Sequence, residues 1–157
     1  MKRLVTSIAV LLLSLGNLGF SEVASFNKCK LTDVKGKQSD ARLILNDTEK
    51  NLVIQVSDRD LVTIPFENPD KFSYEFTKKH RVTQGAIVMV ASLGAGAIVM
   101  LTQSKSHWLY IDYHEQGVPK SVVLRLDKSE YQNVVSSVTE RTGKAVQMLG
   151  DPGKKKN

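Results

Sequence analysis

A chain of 157 residues with a formal net charge of +6 is the size of one domain around one core. Three of its basic residues sit together in Lys154-Lys155-Lys156, which leaves the body of the chain mildly basic and without the dense basic face of a nucleic-acid binder. One cysteine, Cys29, excludes an internal disulfide and leaves stability to packing.

The N-terminus has the layout of a secretory signal. Lys2 and Arg3 precede the apolar run Leu4 to Leu15, and Val23-Ala24-Ser25 supplies small residues for a cut before Phe26. Residues 1–25 are therefore expected to be removed and the protein to be exported, to the periplasm or cell envelope. An uncleaved anchor is the alternative, since Leu4 to Phe20 is just long enough to span a bilayer. Phe26-Asn27-Lys28 ahead of Cys29 lacks the small apolar residues of a lipid-attachment signal.

Residues 26–40 read as a polar leader with room for a short strand at Cys29–Val34. Ala41–Asn46 and Asn51–Val56 flank Asp47-Thr48-Glu49-Lys50 and predict a hairpin. Asp60–Ile64 is a third run, and Pro65 and Pro69 bracket a turn or sheet edge. Lys71–Phe76 alternates, with Phe72, Tyr74 and Phe76 on one face, which is the period of a half-buried strand. His107–Tyr113 and Ser121–Leu126 predict a second hairpin. Trp108 and Tyr110 fall on one face of it, opposite Leu109 and Ile111, with the aliphatic pair expected in the core.

Asp127-Lys128-Ser129-Glu130 reads as a capping box, and Tyr131, Val134, Val135 and Val138 form the apolar stripe of a helix that Gly143 ends. Residues 150–157 read as a disordered basic tail.

Between the two halves lies Gly85 to Thr102, eighteen residues without a charge. As one helix it would be about 27 Å long, marginally enough for a membrane core. A span, however, would put the strands before and after it on opposite sides of the membrane. Ala86-Ile87-Val88-Met89 recurs as Ala97-Ile98-Val99-Met100 around Ser92-Leu93-Gly94-Ala95-Gly96, so the run also reads as two arms about a glycine-rich bend. The bend would dip into one leaflet, with flanking cations on the headgroups. A third reading packs the run on the domain itself or on a second copy.

No catalytic pattern accompanies these features. Gly94-Ala95-Gly96 lacks the third glycine and the βαβ frame of a dinucleotide site, and His80, His107 and His114 have no metal-ligand spacing. Neither a cofactor nor a metal is expected, and no Ser-His-Asp pattern has a nucleophile elbow.

Val62-Thr63-Ile64-Pro65-Phe66 followed by Phe72-Ser73-Tyr74-Glu75-Phe76, and then His107 to Tyr113, Leu126 to Tyr131 and Glu140 to Lys144, resemble exported bacterial PH-like (GRAM-like) domains of unknown function. The resemblance covers residues 41–146. It implies an α+β fold: an antiparallel PH-like β-barrel or sheet of about six strands with one C-terminal amphipathic helix, here with an apolar insert at 85–102 in a domain spanning 41–149. It implies no enzyme.

The expectation is a non-enzymatic domain held at a membrane surface. Ile87, Val88, Met89, Leu93, Ile98, Val99, Met100 and Trp108 would make the apolar contact, and Lys78, Lys79, Arg81 and Lys105 would form a basic collar. The alternative is a soluble periplasmic or secreted module that binds a protein partner, or a second copy of itself, through the same insert. Nucleic acid is not an expected partner.

Overall fold

The computed structural model describes residues 22–33, 36–80, 87–88 and 100–149. Nine strands and one helix lie among them: β1 (Val23–Thr32), β2 (Gln38–Asn46), β3 (Asn51–Val56), β4 (Arg59–Pro65), β5 (Pro69–His80), β6 (Ile87–Val88), β7 (Met100–Glu115), β8 (Val118–Leu126), α1 (Tyr131–Thr142) and β9 (Val146–Leu149). They form one sheet in the order β4-β3-β2-β1-β8-β7-β5-β9, with β6 paired to β8.

The turns fix the hairpins. Ala41 to Asn46 pairs with Val56 to Asn51 as expected, and Asn46 Oδ1 accepts the Thr48 and Glu49 amides to hold the connection. Ser57 and Asp58, at φ 52° and 58°, close β3 onto β4 in two residues. Gln116 and Gly117 do the same between β7 and β8, at φ 52° and 76°. Positive φ at both central residues gives a turn whose twist matches that of the strands it joins.

Alternation then builds the core. Cys29 and Leu31 of β1, Leu43 and Leu45 of β2, Leu52 and Ile54 of β3, Phe72 of β5, Leu109 and Ile111 of β7, and Val122 and Leu124 of β8 all bury on one face. They close there against Val134 and Val138 of α1. The opposite face carries a smaller cluster of Trp108, Tyr110 and Val123, with Leu149 against it. Both pairs of the β7 alternation are therefore buried. Gly143 ends α1 at φ 68°, its N–H bonded to the Thr139 carbonyl.

The six-stranded antiparallel barrel implied by the resemblance is not what this chain forms. The sheet is mixed, and no ladder joins β4 to β9 among the described residues. β8 and β9 point the same way because α1 is a crossover that carries the chain over the sheet to the outer edge of β5, where β9 pairs in parallel. The segment expected as a polar leader supplies β1, which lies between β2 and β8 with Cys29 and Leu31 inward and Lys28 and Lys30 exposed. Val23, Ala24 and Ser25 pair with Asn46, Leu45 and Ile44, and the Asp47 amide donates to the Glu22 carbonyl. Residues 1–21 of the expected signal and residues 150–157 of the tail lie outside the described residues.

Burial divides the helix stripe unevenly, since Val134 and Val138 are fully buried whereas Val135 is half-buried. Val138→Ala is expected to cost about 2–3 kcal/mol in denaturant unfolding, and Val135→Ala less than about 1 kcal/mol. Equal costs would mean that α1 does not present this face to the sheet.

Candidate functional site: a cationic cleft at the end of β8

Leu126, the last residue of β8, faces Cys29 of β1 on one side and His107 of β7 on the other. Both neighbours run on past it, β1 back to Val23 and β7 back to Met100, while the chain of β8 turns off through Asp127 into α1. The space left between the two continuing strands is a cleft of about 450 Å³. Lys28 and Lys30 line it from β1, Lys105, Ser106 and His107 from β7, Arg125 and Leu126 from β8, and Lys128 and Tyr131 from the start of α1, with Phe76 of β5 at its rim.

Local irregularity helps to place these groups. In the β5–β7 ladder the partner of Thr77 is Ser106, but that of Lys79 is Leu101. The extra residues on β7 form a bulge, a feature that re-aims side chains, and Lys105 lies in it. Its ammonium sits 5.7 Å from the centroid of the Phe76 ring.

The charge in the cleft is poorly compensated. Lys30 bonds Asp40 at 3.0 Å, an exposed pair of little energetic weight. Lys28 Nζ donates to Ser129 Oγ at 3.3 Å and Arg125 Nη1 to Gln38 Oε1 at 3.2 Å, both neutral acceptors. Among the described residues, none of Lys28, Lys105, Arg125 and Lys128 makes an ion pair with a carboxylate. Among the described residues, the one acidic residue lining the cleft is Asp127. It accepts the Ser129 hydroxyl and amide, which hold its carboxyl below the usual range, helped by the Lys28 charge. The expected capping box is thus not formed: Asp127 makes a local turn, Glu130 accepts the Lys28 amide, and α1 begins with no side-chain cap. Ser106 adds a further open donor, since its residue is 4% exposed and its hydroxyl has no partner among the described residues.

An aromatic stack forms the wall. His107 lies between Phe76 and Tyr131, with ring centroids 4.6 and 3.9 Å away and interplanar angles of 26° and 14°. Tyr74 stacks on Tyr131 at 5.7 Å and its hydroxyl lies 2.6 Å from His107 Nδ1. Burial, and then the neighbouring Tyr131, pushes the Tyr74 phenol up to about 12, so it keeps its proton. Burial, and then the Lys128 charge, lowers the pKa of His107 against an opposing pull from Asp127. The imidazole is therefore neutral near pH 7.

The residues expected to make surface contact fall differently. Trp108 is fully buried, its indole N–H donating to the Thr77 carbonyl at 3.1 Å, so it is a core residue. Ile87 and Val88 form β6, which pairs in parallel with Lys120 and Ser121 on β8. Met100 begins β7. Met89, Leu93, Ile98, Val99 and Arg81 lie outside the described residues. Lys78 and Lys79 are both in β5, with Lys78 exposed, and of the expected collar Lys105 belongs to the cleft. No helix among the described residues is long and apolar enough to cross a membrane, and no cluster of acidic, His or Cys side chains there could hold a metal. Cys29 is buried and its thiol is pushed up to about 12, chiefly by desolvation, which makes it inert at neutral pH.

Sequence reasoning assigned the lysines of β1, Arg125 and Lys128 to no site. The usable signal was the alternation Lys28-Cys29-Lys30-Leu31, which marks a strand with basic residues on one face. It became a site only once the topology set that strand beside the end of β8.

No family model matches this chain, and no curated protein does. A solved structure entitled "Structure of the Spt16D Pob3N heterodimer" is similar over 86% of this chain and 60% of that one, at 9% identity and a TM-score of 0.46. This chain thus spans less than two thirds of that structure's chain, and so loose a superposition does not establish a shared fold.

The lowered His107 pKa sets a pH dependence. The unfolded histidine, at about 6.5, binds a proton more readily than the folded one. Its contribution to stability is therefore present above about pH 6.5 and is lost as pH falls toward the folded value. Thermal midpoints measured downward from neutral pH should drop through this window, and His107→Phe should flatten the drop. An unchanged profile in the variant would show that His107 is not the group responsible.

Proposed function

We propose that this chain is an exported, non-enzymatic binding domain that works at a membrane surface and holds an anionic group in the cleft at the end of β8. The observation that carries this reading is the gathering of Lys28, Lys105, Arg125 and Lys128 around one cleft without a carboxylate paired to any of them among the described residues. Like charges are held together at a cost that an incoming anion relieves. The Phe76–His107–Tyr131 wall gives the same ligand an apolar surface. The insert at 85–102 and the collar residues Lys78, Lys79 and Arg81 supply the attachment to the lipid surface. Export follows from the signal at the N-terminus. The pairing of Val23 to Ser25 with β2 favours a cut ahead of Glu22 over one before Phe26, because the later cut removes three residues of a central strand.

Co-sedimentation of the exported chain with lipid vesicles tests the reading. Vesicles containing anionic lipid should retain the protein, and zwitterionic vesicles should retain it weakly. Replacing both Arg125 and Lys128 by Glu should weaken retention about tenfold or more, whereas deleting Lys154 to Lys156 should matter less. A protein that ignores anionic vesicles and self-associates in solution would be the interaction module instead. Asp in place of Val88 and Val99 would then separate the copies.

A further inference from the structure

We propose that the cleft at the end of β8 is a site for a phosphate monoester, with the phosphate among the cations and the organic part on the aromatic wall; this deepens, and rests on, the reading of the cleft as an anion site. Three features favour phosphate over a carboxylate or a singly charged diester.

The first is the amount of charge. A carboxylate or a phosphodiester brings one negative charge to a cleft in which four cations lack a carboxylate partner among the described residues. A phosphate monoester brings close to two in the same small volume.

The second is the set of donors. A guanidinium from Arg125, ammonium groups from Lys28 and Lys128, and the hydroxyl of Ser106 offer hydrogen bonds from separate elements, β1, β7, β8 and the start of α1. A planar carboxylate presents two oxygens in one plane, whereas the three terminal oxygens of a phosphate monoester point apart and can each meet a donor from a different element. Ser106 adds to this set: the residue lines the cleft, and its buried hydroxyl has no partner among the described residues, a state that costs free energy until an acceptor arrives. The beginning of α1 lies at the same place without a side-chain cap, and its field favours an anion there.

The third is the rim. Phe76 is 48% exposed and stacks its ring on His107, so an aryl or acyl group attached to the phosphate has a surface to cover. Two sources share this chemistry, a soluble phosphorylated small molecule and the headgroup of a lipid bearing a terminal phosphate.

Calorimetric titration of the exported chain with phenyl phosphate, phenyl sulfate and benzoate separates the ligand classes. Phenyl phosphate should bind saturably and at least about tenfold more tightly than the other two, and Ser106→Ala and Lys128→Gln should each weaken it by about tenfold. Ser106→Ala removes one small hydroxyl that has no partner in the free protein, so a thermal midpoint that does not fall in that variant keeps the result interpretable. A second arm compares vesicles containing phosphatidic acid with vesicles containing phosphatidylglycerol at equal surface charge. Preference for phosphatidic acid identifies the lipid headgroup as the source. Phenyl phosphate binding without that preference identifies a soluble ester, and either result supports the site. Equal affinity for the three small anions, or no saturable binding of phenyl phosphate, overturns the proposal. If anionic vesicles still retain the protein in that case, the membrane reading stands and the ligand class alone has failed.

Discussion

Leu126 ends a strand that is paired on both edges, and the rest of the architecture follows from where it stops. A central strand cannot simply run into solvent beside two longer neighbours without leaving a gap between them. Here Cys29 and His107 mark the last pairs, and the chain leaves through the Asp127–Ser129 turn to begin α1. One geometric event thus opens the cleft, starts the helix beside it and sets residues of five elements around one volume. The alternation of β1 does the remainder. Burying Cys29 and Leu31 in the core obliges Lys28 and Lys30 to take the other face, next to the end of β8.

The aromatic stack ties this end together. Tyr131 is the first residue of α1, and it packs on His107 of β7, which Tyr74 of β5 orients through Nδ1. Two strands and the helix start are joined through three rings, so the wall of the cleft is built from the same contacts that dock α1. A neutral imidazole suits this position. Protonation would put a charge on a partly desolvated ring and beside Lys128, which is the physical content of its lowered pKa.

Much of the sheet is readable in the chain, because the signals are local. The Asp47–Lys50 hairpin, the alternation of Phe72, Tyr74 and Phe76, the stripe of α1 and the Gly143 stop depend on residues near one another, and each forms where its pattern lies. β1 was obscured because its outward residues are charged, so alternation there reads as polarity. β9 is four residues long and owes its place to the crossover of α1, a property of the whole topology. The parallel pairing that made the sheet mixed could not be read from any one segment. The cleft was hidden for the same reason, since Lys28, Lys105 and Arg125 are distant in sequence and no short motif joins them. Trp108 shows the converse failure. Its position near an apolar run suggested an interfacial role, whereas its indole is satisfied by a backbone carbonyl in the interior.

The central claim is that the cleft holds more positive charge than the protein itself neutralises. A ligand that binds the folded state raises its stability in proportion to occupancy, so the claim has a direct thermodynamic readout. The decisive measurement is the thermal unfolding midpoint of the chain from Glu22 onward in inorganic phosphate against sodium chloride at matched ionic strength, for the wild type and for Arg125→Gln/Lys128→Gln. The account predicts that phosphate raises the wild-type midpoint beyond the effect of chloride, and that the double variant loses this excess. Equal midpoints in the two salts, or the same phosphate excess in the variant, would contradict it.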